Sequence, residues 1–208
     1  LEFMSFYGAE MLLEIARFWS DIAEWNPERE RFEIKGVVGP DEFHTQYPGS
    51  DKPGLNNNAY TNVMAVWVLE KALGALDQLS ETRKEELFDE LNIDEDELER
   101  WKKITRKMYI PFLGNNIISQ FEGYGDLEEI DWDKYRKKYD DVQRMDRILK
   151  AEGDTPNSYK VGKQADVLML FYLFSVEKLK ELFNRLGYDF EPSYIPLNVE
   201  YYLKRSSH

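Results

Sequence analysis

The chain of 208 residues contains no cysteine and only two histidines. Without cysteine it can form neither a disulfide framework nor a thiolate metal site, and two histidines are few for a metal cluster. A structural zinc ion is therefore not expected. We predict that the protein works without a metal or an organic cofactor.

Basic residues are scarce relative to acidic ones. The sequence has 27 Lys and Arg residues against 40 Asp and Glu residues, which gives a formal net charge of -13 at pH 7. Nucleic acids and anionic membranes attract clustered Lys and Arg, so neither is expected as a partner. A local pocket can still bind an anion, because net charge does not fix the potential inside a cleft.

A long apolar run is also missing. The longest one, residues 165–174, contains Asp166 and has about half of the ~20 residues that a membrane-spanning helix needs, so we interpret it as a buried helix. No basic segment followed by an apolar one opens the chain, so no signal peptide is predicted and a cytoplasmic location is expected. The first residue, Leu1, and the final Ser206-Ser207-His208 indicate a segment of a longer polypeptide.

The hydrophobic and aromatic residues are numerous enough to form a core, and in most segments they recur at the spacing of a helix. A content of 42% hydrophobic and 14% aromatic residues fits one globular domain or a large part of one. In several segments apolar residues recur every three or four positions, which predicts amphipathic helices and an all-α fold. One helix is predicted over each of residues 7–25, 59–79 and 133–150, and two over residues 163–186, a buried one followed by an amphipathic one. Others are predicted at the capping patterns Thr82-x-x-Glu85 and Asp94-x-x-Glu97 and near the C-terminus.

Two segments depart from the helical pattern. Residues 31–38 alternate in polarity and are rich in β-branched side chains, which allows a short strand or hairpin before the break at Gly39-Pro40. Residues 109–132 contain Pro111 and three glycines, so they are predicted to form an irregular loop.

An adjacent pair of carboxylates, Asp41 and Glu42, follows the Gly39-Pro40 break. After a loop rich in Gly and Pro, Asn56-Asn57-Asn58 supplies an N-cap for the helix that begins near Ala59. A stiff, non-helical segment between helices is where a scaffold often presents a catalytic group. Taken alone, adjacent acids are more often a solvated turn, and capping fully explains the Asn run.

Five sets of motifs occur in order along nearly the whole chain. They are Tyr7-Gly8-Ala9-Glu10-Met11 with Ala16-Arg17-Phe18-Trp19, Gly39-Pro40-Asp41-Glu42-Phe43-His44, Asn57-Asn58-Ala59-Tyr60-Thr61-Asn62, Ile118-Ser119-Gln120-Phe121-Glu122-Gly123-Tyr124 and Lys163-Gln164-Ala165-Asp166-Val167. In these motifs the sequence resembles glycoside hydrolase family 65, which includes phosphorylases of maltose, trehalose and kojibiose and some α-glucoside hydrolases. The resemblance implies an (α/α)6 barrel, of which residues 1–208 supply the later helices as part of a catalytic domain, with at most a short β-hairpin near the catalytic loop.

The resemblance also implies an activity. In the family, the glutamate that matches Glu42 is the general acid that protonates the glycosidic oxygen, while inorganic phosphate attacks the anomeric carbon from the opposite face. The expected reaction is therefore inverting phosphorolysis of α-linked glucose disaccharides to β-glucose 1-phosphate. Phosphate acts as co-substrate and supplies the nucleophile, so this mechanism needs no second catalytic carboxylate.

The same resemblance implies roles for three further residues, Lys163, Gln164 and His208. Lys163 and Gln164 would hydrogen-bond the glucose hydroxyls, for which a charged donor and a bidentate amide are suited. From its own position beside Glu42, Asp41 is expected to orient a neighbouring group, cap the local turn or bind substrate. The family's phosphate loop follows an Arg-Thr/Ser-Ser-His sequence, so His208, which ends Arg205-Ser206-Ser207-His208, would contact phosphate. By themselves, His44 and His208 are more often structural residues.

Two other functions stay open. An inverting hydrolase on the same fold would need a second carboxylate to activate water, and Glu122 is the candidate for that role. As an isolated segment, the chain would instead be a non-catalytic helical module, because the family's phosphate loop and an upstream Trp-Asp pair are absent from it. A partial barrel leaves apolar helix faces uncovered, which predicts a homodimer or exposed apolar surface.

Overall fold

The computed structural model describes residues 2–41, 43–114 and 116–207, and these residues are mostly helical. In chain order the helices are α1 (Ala9–Asp21), α2 (Ala59–Leu76), α3 (Glu81–Leu91), α4 (Glu95–Lys107), α5 (Trp132–Lys138), α6 (Met145–Ala151), α7 (Asp166–Leu173), α8 (Val176–Arg185) and α9 (Tyr194–Leu203). The strands are β1 (Ala23–Asn26), β2 (Arg31–Ile34), β3 (Phe112–Leu113) and β4 (Ile117–Ile118). They form two antiparallel pairs, β1 with β2 and β3 with β4.

The prediction of a mostly helical chain is confirmed, although some elements differ in extent. The first predicted helix ends at Asp21, because the residues after it form β1, which pairs with β2 so that Trp25 lies opposite Phe32. The helix predicted over residues 133–150 is divided into α5 and α6. The loop predicted over residues 109–132 contains the hairpin of β3 and β4.

Side-chain caps determine where α3 and α4 begin. The cap predicted at Thr82 is wrong, because α3 starts after Ser80, whose hydroxyl accepts a hydrogen bond from the backbone N–H of Arg83. The cap predicted at Asp94 is confirmed, since its carboxylate accepts the backbone N–H of Glu97 at 2.8 Å. Both caps satisfy an N–H group that the first turn of a helix leaves without a partner.

The chain divides into two compact units. The first contains Leu1–Ile34, Asn62–Tyr109 and Leu182–Tyr188, and the second contains Lys35–Thr61, Ile110–Glu181 and Asp189–His208.

In the first unit, α4 holds the end of α1 and the start of β1. Arg17 of α1 donates to Glu97 Oε1 at 2.9 Å, and Arg100 of α4 donates to the carbonyl of Ala23 at 2.6 Å. Trp101 of α4 is fully buried in the core of this unit. Charged side chains therefore fix the edges of the packed helix pair, while apolar burial supplies most of the stabilisation.

A stripe of exposed apolar side chains runs along α1 and the turn before it. Its members are between 39% and 68% exposed and lie three or four residues apart, so they share one helix face. They are Phe3, Tyr7, Met11, Ile15 and Phe18. The predicted exposed apolar surface is thus present on α1, and a stripe of this kind is typical of a helix that packs against another surface.

The second unit has a core in which the loop before α2 packs against α5 and α6. The buried members of this cluster are apolar or aromatic, namely Phe43, Ile130, Tyr135, Met145, Ile148, Leu149 and Val161. Elsewhere in the unit, α9 holds β4 by polar contacts: Asn198 Oδ1 accepts the N–H of Ile118 at 2.8 Å, and the Tyr202 hydroxyl donates to the Ile118 carbonyl at 2.6 Å.

No helix in the part of the chain that the structure describes is both long enough and apolar enough to cross a membrane.

Candidate active site

A buried hydrogen-bond network joins the loop that carries Asp41 to the first residue of α7. The backbone N–H of Asp41 donates to Asp166 Oδ1 at 2.6 Å, and Asn58 Nδ2 donates to Asp166 Oδ2 at 2.9 Å. Asn58 Oδ1 accepts the backbone N–H of Thr61 at 2.9 Å, the N-cap contact predicted from the Asn run. Asp166 thus connects the loop, the start of α2 and the start of α7.

Two glycines allow the close approach on which this network depends. A Cβ atom at Gly39 would lie 1.8 Å from Asp166 Oδ2 and 2.4 Å from Asn58 Nδ2. A Cβ atom at Gly162 would lie 2.6 Å from Asp41 Oδ2. Both distances to carboxylate oxygens are far below van der Waals contact, so the sites require residues without a side chain.

Asp41 is a buried acid with an unusual protonation equilibrium. It is 4% exposed, and its Oδ1 accepts the backbone N–H of Phe43 at 3.1 Å, which is the geometry of a local turn cap. Its Oδ2 accepts no hydrogen bond of normal geometry from a described residue, although the backbone amides of Gln164 and Lys163 lie near enough to favour the charged form. Burial, reinforced by the charge of Asp166, raises the pKa of Asp41 to about 7.

His44 is a buried, neutral imidazole. Its Nε2 lies 2.8 Å from the carbonyl oxygen of Tyr159, so Nε2 carries the proton and donates. The rings of Phe121 and Tyr124 meet the imidazole edge-on at centroid distances of 5.2 Å and 5.7 Å. Burial lowers the pKa of His44 to about 4, and these contacts agree with the structural role predicted for it.

The residues on both sides of Glu42 are firmly held. Asp41 is bonded to Asp166, and Phe43 is buried in the apolar cluster of the second unit. Two residues after Phe43, the backbone N–H of Thr45 donates to Asn157 Oδ1 at 2.9 Å. Glu42 itself, predicted as the general acid, lies outside the described residues, and so does His208, predicted to contact phosphate.

Beside the Glu42-bearing loop, the motif that begins at Asn57 contacts the motif that begins at Ile118. Asn57 Nδ2 donates to Glu122 Oε2 at 2.8 Å, and the N–H of Ala59 donates to the Gln120 carbonyl at 3.0 Å. Glu122, the candidate second carboxylate, is half-buried and oriented by this amide. The described residues of four of the five motif sets, except Asn62, therefore lie in the second unit, while the set near Tyr7 lies in the first unit.

Lys163 and Gln164, the predicted glucose contacts, are exposed and lie just before α7. Lys163 lines a cavity of about 660 Å³, to which Phe43 and Thr45 of the Glu42-bearing loop also contribute. The other lining residues are Arg144, Asp146, Lys150, Asp154, Thr155, Pro156 and Asn157. Among the described residues, no group of three or more His, Asp or Glu side chains is placed to hold a metal ion.

The C-terminal segment lies next to the predicted glucose contacts. The N–H of Gly162 donates to the Arg205 carbonyl at 3.0 Å, and the N–H of Ser207 donates to the Gly162 carbonyl at 3.0 Å. The Ser206 hydroxyl also donates to the carbonyl of Lys163 at 3.2 Å. The residues that precede His208, the residue predicted to contact phosphate, therefore lie beside Lys163.

Sequence reasoning missed the connecting role of Asp166. Two signals could have indicated it: Asp166 is a carboxylate inside an apolar run, and it stands where a helix begins. A charged group that interrupts a buried segment needs polar partners. Its partners, Asp41 and Asn58, are 125 and 108 residues away, so their identity could not be read from local spacing.

The pKa values of Asp41 and His44 predict opposite effects of pH on stability. Because the pKa of Asp41 rises from its ordinary 3.8 to about 7 on folding, its contribution to stability falls as pH rises through that range. The pKa of His44 falls from 6.5 to about 4, so its contribution increases with pH between those values. The two effects oppose each other over most of the acidic range.

Replacement of Asp41 by Asn is expected to remove one of these two effects. Relative to the unsubstituted chain, Asp41→Asn should gain stability as pH rises from about 4 to about 7, by up to about 1.4 kcal/mol per pH unit. Urea denaturation of both proteins across this range measures the difference. Asp51→Asn, at an exposed position, is the control and should give a constant offset. A pH-independent difference for Asp41→Asn would contradict the raised pKa.

The comparison with known families decides the classification. The sequence model of the glycosyl hydrolase family 65 central catalytic domain matches residues 1–208. The chain belongs to glycosyl hydrolase family 65. The predicted resemblance is thus confirmed over the full length of this family 65 chain.

Curated relatives of this family 65 chain include phosphorylases. A trehalose 6-phosphate phosphorylase of Lactococcus lactis is 38% identical over 201 residues, which are 97% of this chain and 24% of the relative. A kojibiose phosphorylase of Halothermothrix orenii is 39% identical over 212 residues, covering 100% of this chain and 24% of the relative. An uncharacterized glycosyl hydrolase of Mycobacterium tuberculosis is 52% identical over 200 residues, 96% of this chain and 15% of the relative. The chain therefore spans about a quarter or less of the length of these relatives.

A solved structure has the same fold as the family 65 chain. The putative kojibiose phosphorylase from human microbiome matches with a TM-score of 0.75 and 26% sequence identity, over 100% of this chain and 27% of that one. The predicted fold class is confirmed: the chain is mostly helical, has two small antiparallel sheets in its described residues, and corresponds to part of an (α/α)6 barrel.

Proposed function

We propose that this chain forms part of a catalytic domain that cleaves α-linked glucose disaccharides by inverting phosphorolysis to β-glucose 1-phosphate. The observation that carries the proposal is the buried link from Asp41 to Asp166, which ties the Glu42-bearing loop to the segment Lys163-Gln164. Membership of family 65 and the phosphorylases among the relatives support the reaction type.

In the proposed mechanism, Glu42 is the catalytic acid. Its proton passes to the glycosidic oxygen as the bond from that oxygen to the anomeric carbon breaks, and a phosphate oxygen bonds the same carbon from the opposite face. The proton of hydrogen phosphate then restores the acid. Lys163 and Gln164 hold the glucose hydroxyls, and His208 contacts the phosphate. Asp41 acts as a positioning residue, since its own carboxylate is buried.

A second function, inverting hydrolysis, is favoured by the placement of Glu122. Its carboxylate is half-buried, oriented by Asn57, and belongs to the motif that meets the Glu42-bearing loop. A carboxylate in such a position can activate water in place of phosphate. The two functions differ in whether phosphate is consumed, so they are separable by one assay.

The decisive experiment measures glucose release from trehalose, maltose, nigerose and kojibiose with and without inorganic phosphate. The 208-residue chain is assayed in parallel with a longer polypeptide extended on both sides. We expect phosphate-dependent release by the longer polypeptide and none by the chain alone. Release that does not depend on phosphate would instead support the hydrolase, and no release from either protein would support a non-catalytic helical module.

The exposed stripe on α1 supports a further proposal, that the isolated chain forms a homodimer. An apolar helix face of this extent favours association with a second surface. Multi-angle light scattering measures the mass in solution, and a monomer that binds no apolar dye would contradict the proposal.

A cytoplasmic location is also proposed, because the charged product β-glucose 1-phosphate does not cross membranes and would stay inside the cell. Cell fractionation tests this location.

A further inference from the structure

One amide side chain holds the Glu42-bearing loop at the end that follows Glu42. Asn157 Oδ1 accepts the backbone N–H of Thr45 at 2.9 Å and that of Gln46 at 3.3 Å. The two donors are 112 and 111 residues away from Asn157 in sequence, so the contact is tertiary and not a local turn cap. Both lone pairs of one oxygen are thus used by two successive N–H groups of the loop.

Contacts with other segments determine the position of this loop. Between β2 and α2 the described residues form no helix and no strand longer than an isolated bridge. Before Glu42, the N–H of Asp41 donates to Asp166 Oδ1 at 2.6 Å. After Glu42, Asn157 accepts two further N–H groups. The backbone is therefore hydrogen-bonded on both sides of the proposed acid, by side chains from two different parts of the second unit.

The turn that carries Asn157 is itself firmly held. Asp154 accepts the N–H of Thr155 at 2.7 Å and the hydroxyl of Tyr159 at 2.6 Å, so its carboxylate closes the turn. Pro156 has a restricted φ angle, and the Thr155 hydroxyl accepts the N–H of Asn157 at 3.3 Å. Asn157 is thus preorganised, which is required of a residue that orients another segment.

The rate of general acid catalysis depends strongly on the position of the acid. The acid must come within roughly 2.6–3.2 Å of the departing oxygen, and a displacement of about 1 Å can cost about 10²-fold in rate. Without the Asn157 bonds, two contacts would remain after Glu42: the burial of Phe43 and the bond from His44 to the Tyr159 carbonyl. The loop would therefore shift but not unfold.

We propose that Asn157 is a positioning residue, which acts through the backbone of Thr45 and Gln46 to hold Glu42 where it can protonate the departing oxygen. The inference rests on the proposed function and adds a residue that none of the five motif sets contains. The essential group is the acceptor Oδ1, because the loop presents only N–H donors to it.

Three variants of the complete polypeptide test this role, on whichever of trehalose, maltose, nigerose and kojibiose it cleaves fastest. Asn157→Leu keeps the approximate size and removes the acceptor, so kcat should fall about 10–100-fold while KM changes less than about threefold. Asn157→Asp keeps the acceptor and should retain kcat within about threefold. Asn26→Leu is the matched control and should leave kcat unchanged. Asn26 Oδ1 also accepts two backbone N–H groups, of Glu28 at 3.0 Å and Arg29 at 3.2 Å, but in the first unit.

Three further measurements distinguish positioning of the acid from a loss of stability. A glucosyl donor with a fluoride leaving group needs little protonation, so Asn157→Leu should keep its rate on that donor within about threefold. In Glu42→Gln the proton is already absent, so adding Asn157→Leu should lower kcat by less than about threefold more. Hydrogen exchange of the Thr45 and Gln46 amides should be at least about tenfold faster in Asn157→Leu than in Asn157→Asp.

The outcomes that would overturn the inference differ from those that contradict the proposed function. Equal losses of kcat in Asn157→Leu and Asn26→Leu, unchanged exchange of the two amides, or additive losses in the double variant would overturn the inference. An equal deficit on the disaccharide and the fluoride donor would do the same. A large loss in Glu42→Gln with normal kcat in Asn157→Leu would overturn the inference and leave the proposed function intact. Unreduced turnover in Glu42→Gln would contradict the proposed function, and with it the inference.

Discussion

Replacement of Glu42 by Gln is expected to lower kcat by about 10²–10⁴-fold in the complete polypeptide while leaving disaccharide affinity nearly unchanged. Glutamine keeps the size and hydrogen-bonding ability of the side chain but has no acidic proton to give to the departing oxygen. Initial rates of β-glucose 1-phosphate formation at saturating phosphate give kcat, and calorimetry gives the affinity for the sugar.

A matched variant and a second substrate separate acid catalysis from other causes. Glu128→Gln makes the same chemical change at an exposed position of the second unit and should leave turnover unaltered. A glucosyl donor with a fluoride leaving group needs little protonation, so Glu42→Gln should recover most of its rate on that donor. Unreduced turnover of the disaccharide, or an equal deficit on both donors, would be incompatible with Glu42 as general acid.

Replacement of Gly39 by Ala is expected to destabilise the second unit and reduce activity strongly. The added methyl group would lie 1.8 Å from Asp166 Oδ2, and that carboxylate cannot move aside without breaking its bonds to Asp41 and Asn58. Overpacking of a buried site costs about 1–3 kcal/mol, and here it would also displace the Glu42-bearing loop. Urea denaturation measures the loss of stability, and phosphate-dependent glucose release by the complete polypeptide measures the loss of activity.

The same substitution at Gly74 provides the control. Gly74 is inside α2, and a Cβ atom there meets nothing within 4 Å. Gly74→Ala should therefore raise the free energy of unfolding by about 0.5–1 kcal/mol, because alanine loses less conformational entropy in a helix than glycine does. If Gly39→Ala were as stable and active as Gly74→Ala, the close contact with Asp166 would not be important.

Local periodicity was sufficient to predict most helices, because a helix buries one face at a spacing set by its own geometry. Local periodicity gave the wrong helix ends where tertiary contacts determine the secondary structure. The apolar pattern of α1 continues to Trp25, yet the chain turns at Ile22, because pairing with β2 and the hydrogen bond from Arg100 to Ala23 stabilise a strand instead. Tertiary contacts also explain why residues 133–150 form two helices instead of one. Tyr135 of α5 and Met145 of α6 both pack into the same buried cluster.

The sequence motifs predict which residues belong to the candidate site but not the protonation states of its buried groups. The motifs indicated Asp41, Lys163 and Gln164, but the protonation of Asp41 depends on burial and on Asp166, which is distant in sequence. The neutral state of His44 likewise follows from its aromatic surroundings and not from any local pattern. The roles of Glu42 and His208 remain predictions from the family motif.

The hydrogen bond from the backbone N–H of Asp41 to Asp166 implies an energetic coupling between glucose binding and proton donation, the two functions proposed for the site. Asp166 is the first residue of α7, two residues after Gln164 of the segment proposed to bind glucose, and it also holds the loop proposed to supply the proton. If a sugar bound there restricts the start of α7, the hydrogen bonds of Asp166 would carry that restriction to the loop, and by reciprocity a fixed loop would favour sugar binding. On the proposed function, Asp166 is therefore the position at which one substitution would disturb sugar binding and proton transfer together.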